Sequence, residues 1–102
     1  MIINIGNNRR LSLIWRHKAN GSKKYSKCII KLGVGKDSTL LVETKSHLHK
    51  GDIWNRNKGR KVAMEKALKA LSEQPINGVQ LTKQDRTQIW QNYADMRHGS
   101  FV

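Results

Sequence analysis

The hydrophobic period of this chain changes once. Up to His47 apolar residues alternate at steps of two, and from Lys58 onward they recur at steps of three and four. The first spacing turns one face of a strand toward a core, and the second does the same for a helix. A sheet followed by helices is therefore predicted, an α+β fold and not the strand–helix alternation of a parallel sheet.

The strands can be placed from this alternation. Residues 2–5 are apolar enough for a short strand or a strand extension, and Gly6-Asn7-Asn8 breaks it. Leu11, Leu13 and Trp15 share one face of a strand that runs to His17, and Asn20-Gly21 is a strong hairpin signal within the cationic loop Lys18–Lys24. A second strand, Tyr25 to Val34, turns Cys28, Ile30, Leu32 and Val34 one way and Lys27 and Lys31 the other. Gly33-Val34-Gly35-Lys36-Asp37 then turns the chain; it lacks the Gly-Lys-Ser/Thr ending of a phosphate loop. A third strand, Thr39 to Ser46, carries Leu40 and Val42 inward and Glu43 and Lys45 outward.

Val62, Met64, Ala67, Leu68 and Leu71 define a first helix over 58–73, with Asn57 as its N-cap and Pro75 beyond its end. Asn77-Gly78 is the tip of a turn. Thr82-Lys-Gln-Asp85 reads as a capping box opening a second helix over 83–97, with Ile89, Trp90, Tyr93 and Met96 on its apolar face and Gly99 as its C-cap. The predicted architecture is one domain: a three-stranded antiparallel meander within residues 2–47, a connecting loop over 48–57, and two helices packed on one face.

Charge narrows the class of partner. Twenty Lys and Arg face seven Asp and Glu, a formal net charge of +13 in 102 residues. No acid precedes Asp37, so the first third of the chain is purely cationic. Such a field attracts a polyanion. The single cysteine, Cys28, rules out an internal disulfide and suits a reducing compartment. The N-terminal residues lack the apolar core of a signal peptide, and no apolar run approaches membrane-spanning length, so a cytoplasmic protein without membrane contact is expected.

The connection His47–Lys61 gathers most of the chemistry-bearing residues: His47, His49, Asp52, Trp54, two glycines and five basic residues. Its two histidines alone do not make a metal site, because zinc sites need three or four ligands and no CxxC or HExxH accompanies them. They have the residue type of a nuclease general acid or base, yet no nucleophile, base and orienting partner stand at catalytic spacing. Cations at a helix N-terminus oppose the macrodipole, so folding does not account for Lys58, Arg60 and Lys61, whereas a bound anion would. Gly59 would let that anion approach the backbone, and Asp52 would clasp Arg56 or Arg60. Trp54 either stacks on bases, as Tyr25 could, or, on the favoured reading, plugs the gap between sheet and helix.

The run His49-Lys-Gly-Asp52, Asn55-Arg-Asn-Lys-Gly-Arg60, Ala63 and Ala67-Leu68 resembles a pattern in small uncharacterised bacteriophage accessory proteins. There a strand ends in a His-x-Gly-Asp loop and Gly-Arg-x-x-Ala opens a helix. The likeness covers about a quarter of the chain and implies a phage or mobile-element accessory protein, a regulator or counter-defence factor, with no catalytic residues attached.

Together these features predict a small basic protein that binds the phosphate backbone of RNA or DNA non-specifically, and not an enzyme. The expected contacts are Arg9, Arg10, Arg16, Lys18, Lys23, Lys24, Lys27, Lys31, Lys50, Trp54, Arg56, Lys58, Arg60 and Lys61. No catalytic residue, metal or cofactor is assigned. The alternative is a phage inhibitor that uses the same positive field against an acidic surface or the nucleic-acid channel of a host protein. A small nuclease using His47 and His49 stands third.

Overall fold

The computed structural model describes residues 1–6, 9–18, 25–47 and 56–99. Among these described residues four strands, β1 (Ile2–Ile5), β2 (Arg9–Lys18), β3 (Tyr25–Leu32) and β4 (Thr39–His47), precede two helices, α1 (Arg56–Glu73) and α2 (Lys83–Gly99). The sheet is antiparallel in the order β1-β2-β3-β4. It therefore has one strand more than the predicted meander. The apolar run at residues 2–5 adds a full edge strand to β2, with Ile3 opposite Leu11, because its alternate residues Ile3 and Ile5 have core to bury.

Alternation is kept along β2 and β3. Leu11, Leu13, Cys28 and Ile30 are buried, while Trp15 and Leu32 pack at the margin of the core. Two predicted positions fail, each for a local reason. Strand β3 ends at Leu32, and Val34, expected to face inward, is 46% exposed in the turn that follows. That turn uses Gly33 and Gly35 at positive φ, 95° and 81°, and closes through a one-turn 3-10 helix over Gly35–Asp37. The glycines thus serve backbone geometry that a side chain would strain.

The second failure is Leu40. The register steps from Ile30 opposite Val42 to Lys31 opposite Leu40, so Leu41 is an extra residue, a β-bulge. The bulge resets the side-chain phase. Leu41 goes into the core at 7% exposure, and Leu40, predicted inward, is 51% exposed on the other face.

In α1, Ala63, Met64, Ala67, Leu68 and Leu71 are buried, and Val62 is only partly so. Ile89 and Tyr93 are the buried residues of α2, with Trp90 partly buried and Met96 at 36% exposure. Helix α1 begins at Arg56, two residues earlier than predicted, so Asn57 is helical and not the N-cap. Gly99, the predicted C-cap, closes the helical span itself. Contacts between layers are specific. Thr44 of β4 donates its hydroxyl to the Ala63 carbonyl of α1, and the rings of Trp15 and Tyr93 meet at 5.5 Å.

The link between the helices follows its sequence signals. Asn77 and Gly78 both have positive φ, 50° and 78°, and Ile76 and Val79 exchange backbone hydrogen bonds across them. The Leu81 amide and the Gln80 side chain donate to the carbonyls of Leu71 and Ser72, satisfying the end of α1. The capping box is formed: the Asp85 amide donates to Thr82 Oγ1 at 3.1 Å, and the Thr82 amide to Asp85 Oδ2 at 3.0 Å.

Candidate nucleic-acid interface

Residues that stand directly opposite across antiparallel strands share a face. Cys28 and Ile30 mark the buried one, so their neighbours Lys27, Ile29 and Lys31 mark the other. On that outer face Arg16 of β2 is opposite Lys27 of β3, which is opposite Lys45 of β4. Three cations thus stand in one row across three strands. Like charges directly opposite destabilise a sheet, and Glu43 offsets part of that repulsion here by pairing with Lys27. Arg10, opposite Asn4, and Lys31, opposite Ser12, extend the positive charge along the same face.

Glu43, the acid of this face, bonds Lys27 Nζ at 2.7 Å. The hydrogen bond and charge of Lys27 hold the Glu43 carboxyl below its ordinary range, and Glu43 in turn raises the Lys27 ammonium. Lys45 Nζ lies 5.1 Å from the centroid of the Tyr25 ring, and the His47 ring is 6.0 Å from Tyr25. Strand register places these groups together: Tyr25 is opposite His47, and Lys45 is two residues earlier on β4. Lys45 is a cation of this row that the residues expected from sequence did not include. Its outward position was legible in the alternation of β4, but its place in the row depends on strand register.

Other expected contacts are engaged elsewhere. The Arg60 guanidinium lies 5.8 Å from the centroid of the Trp15 ring, with Nη2 3.4 Å from His17 Nε2. His17 Nδ1 is 2.8 Å from the hydroxyl of the fully buried Ser26. An arginine only donates, so contact with Arg60 leaves Nε2 the acceptor and Nδ1–H the donor to Ser26. Arg60 therefore points into the protein. Gly59, expected to admit an anion, instead admits Ser26: a Cβ there would stand 2.5 Å from Ser26 Oγ. Arg9 donates to the Gly78 carbonyl at 2.6 Å, tying the start of β2 to the turn between the helices.

Lys58 and Lys61 are exposed on α1, whose first turn contains no acid. Lys23, Lys24, Lys50, Trp54, His49, Asp52 and the Asn20-Gly21 turn lie outside the described residues, as do the side chains of Lys18 and Arg56. Among the described residues, no group of three or more His, Cys, Asp or Glu is placed to hold a metal ion. Burial pushes the Cys28 thiol up to about 12, which makes it a core residue and not a nucleophile at neutral pH. No described helix is long and apolar enough to cross a membrane.

The geometry offers a broad cationic sheet face with an aromatic pair at one end. It can neutralise phosphates and support flat rings. The chain matches no protein-family model, no curated protein and no solved structure.

Proposed function

We propose that this protein binds nucleic acid through the outer face of its sheet, largely without regard to sequence. The observation that carries this reading is the row Arg16–Lys27–Lys45, three cations side by side across three strands, with only the middle one, among the described residues, paired to an acid, Glu43. Both helices contribute to covering the opposite face, since Ala63 meets Thr44 and Tyr93 meets Trp15, and those two strand residues both align with Cys28. Neither of these helix contacts falls on the outer face. Lys and Arg contacts of this kind displace counterions from phosphates, and flexible side chains on a flat face supply no base-edge readout. Taken with the likeness of its central segment to phage accessory proteins, this makes it a phage-encoded accessory or counter-defence factor acting in the host cytoplasm, without catalysis of its own.

The test is a titration of labelled RNA, single-stranded DNA and duplex DNA at two salt concentrations. Binding at low salt should weaken steeply as salt rises. Five phosphate contacts, from Arg10, Arg16, Lys27, Lys31 and Lys45, correspond on a single strand to a log–log slope of about −3.5. Charge reversal of Arg16, Lys27 and Lys45 should cost far more affinity than reversal of Lys69 and Lys83 on the helices. If no nucleic acid binds at low salt, the reading is lost and the alternative, an inhibitor of an acidic host protein, takes its place.

A further inference from the structure

The outer face is not uniformly cationic. The cationic row stands between two mixed rows: Lys18, Tyr25 and His47 on one side, and Ile14, Ile29 and Glu43 on the other. Successive rows on one face are two residues apart, roughly 6.6–6.8 Å. Ile14, Ile29 and Tyr25 are each partly exposed and His47 is exposed.

A duplex would leave these flanking rows without a use. Its bases are stacked inside, and its major groove admits a helix or a two-stranded ribbon, not the breadth of a four-stranded sheet. Aromatic and aliphatic side chains would then be pressed against phosphates. A single strand presents both kinds of group at once, phosphates for the cations and flat base faces for the rings and isoleucines.

Resting on the nucleic-acid reading above, we infer that the ligand is a single strand of RNA or DNA laid across this face, with one base on Tyr25 and His47 and another over Ile14 and Ile29. Tyr25 already serves as a platform for a cation, with Lys45 Nζ 5.1 Å from its centroid. A base entering over the ring takes that place, and Lys45 moves to the adjoining phosphate. The exchange replaces a cation–ring contact with a stacked base and an ion pair.

The experiment compares the full chain's affinity for a uridine oligomer, a thymidine oligomer of equal length, a duplex and heparin. Both single strands should bind at least about tenfold more tightly than the duplex, and the two arms show whether ribose matters. Tyr25→Ala should weaken single-strand binding about 5- to 140-fold, the loss of one stacked base, while Tyr25→Phe retains it. Heparin has no bases, so its unchanged affinity for Tyr25→Ala would show the variant to be folded and its charges intact. Equal affinity for duplex and single strand, or equal losses for heparin and single strands in Tyr25→Ala, would overturn this inference and leave the broader nucleic-acid reading standing. Absence of binding to any nucleic acid would remove both.

Discussion

Gly59 of α1 lies so close to Ser26 of β3 that a Cβ on Gly59 would stand 2.5 Å from the serine hydroxyl and 3.0 Å from its Cβ. The glycine is a spacer between helix and sheet. It sets how near α1 comes to β3 at the end of the core where His17, Ser26 and Arg60 meet.

Replacing this glycine tests the spacing. In an exposed helix, Gly59→Ala would gain about 1 kcal/mol of helix propensity. Here the added methyl overpacks a buried contact, and a net loss of about 1–3 kcal/mol is expected. Urea unfolding reads it as a lower midpoint with an unchanged slope. Adding Ser26→Gly should recover part of the loss. A Gly59→Ala variant as stable as the parent would show that α1 is free to stand farther from β3.

Cys28 makes a second prediction, in pH. Its thiol is pushed up from 9.0 to about 12 by burial, so the native state holds this proton more tightly than the unfolded chain does. The contribution to stability is complete below pH 9 and is lost as the pH rises toward 12. Cys28→Ala should therefore lose less stability than the parent across that interval. A thiol reagent at pH 8 should leave the native protein unlabelled and label it on unfolding, and prompt labelling of native protein would contradict the burial.

Glu43 makes a third. Lys27 holds its carboxyl below the ordinary 4.5, so their pairing is present at neutral pH and is lost only as the pH falls below that value. Both groups are at the surface, and Glu43→Gln should leave thermal unfolding unchanged. The same substitution removes a negative charge from the cationic face. It should tighten single-strand binding about fivefold at low salt, the worth of one unit charge about 4 Å away in water. Weaker binding would mean that Glu43 is needed to position Lys27.

Local chemistry makes much of this fold legible in the sequence alone. Alternation in Leu11–Trp15 and Cys28–Ile30, the three-to-four spacing of Met64–Leu71, the Asn77-Gly78 turn and the Thr82–Asp85 capping box all act within a few residues, so their signals are complete in sequence. The net positive charge is likewise a property of composition.

Other features depend on partners far apart in sequence. The bulge at Leu41, which exchanges the roles of Leu40 and Leu41, arises from how β4 pairs with β3. The recruitment of β1 to the sheet depends on the neighbour that β2 provides. Arg60 and Gly59 looked like parts of an anion site because a helix start crowded with cations carries that signal. Only the approach of α1 to His17 and Ser26 shows that one guanidinium and one glycine belong to the interior contact. Sequence by itself determined most of the elements, though not the place of β1 in the sheet, and the sign of the charge, because these are local or additive. Tertiary structure decided which cations share a face, because strand register, not sequence proximity, brings Arg16, Lys27 and Lys45 into one row.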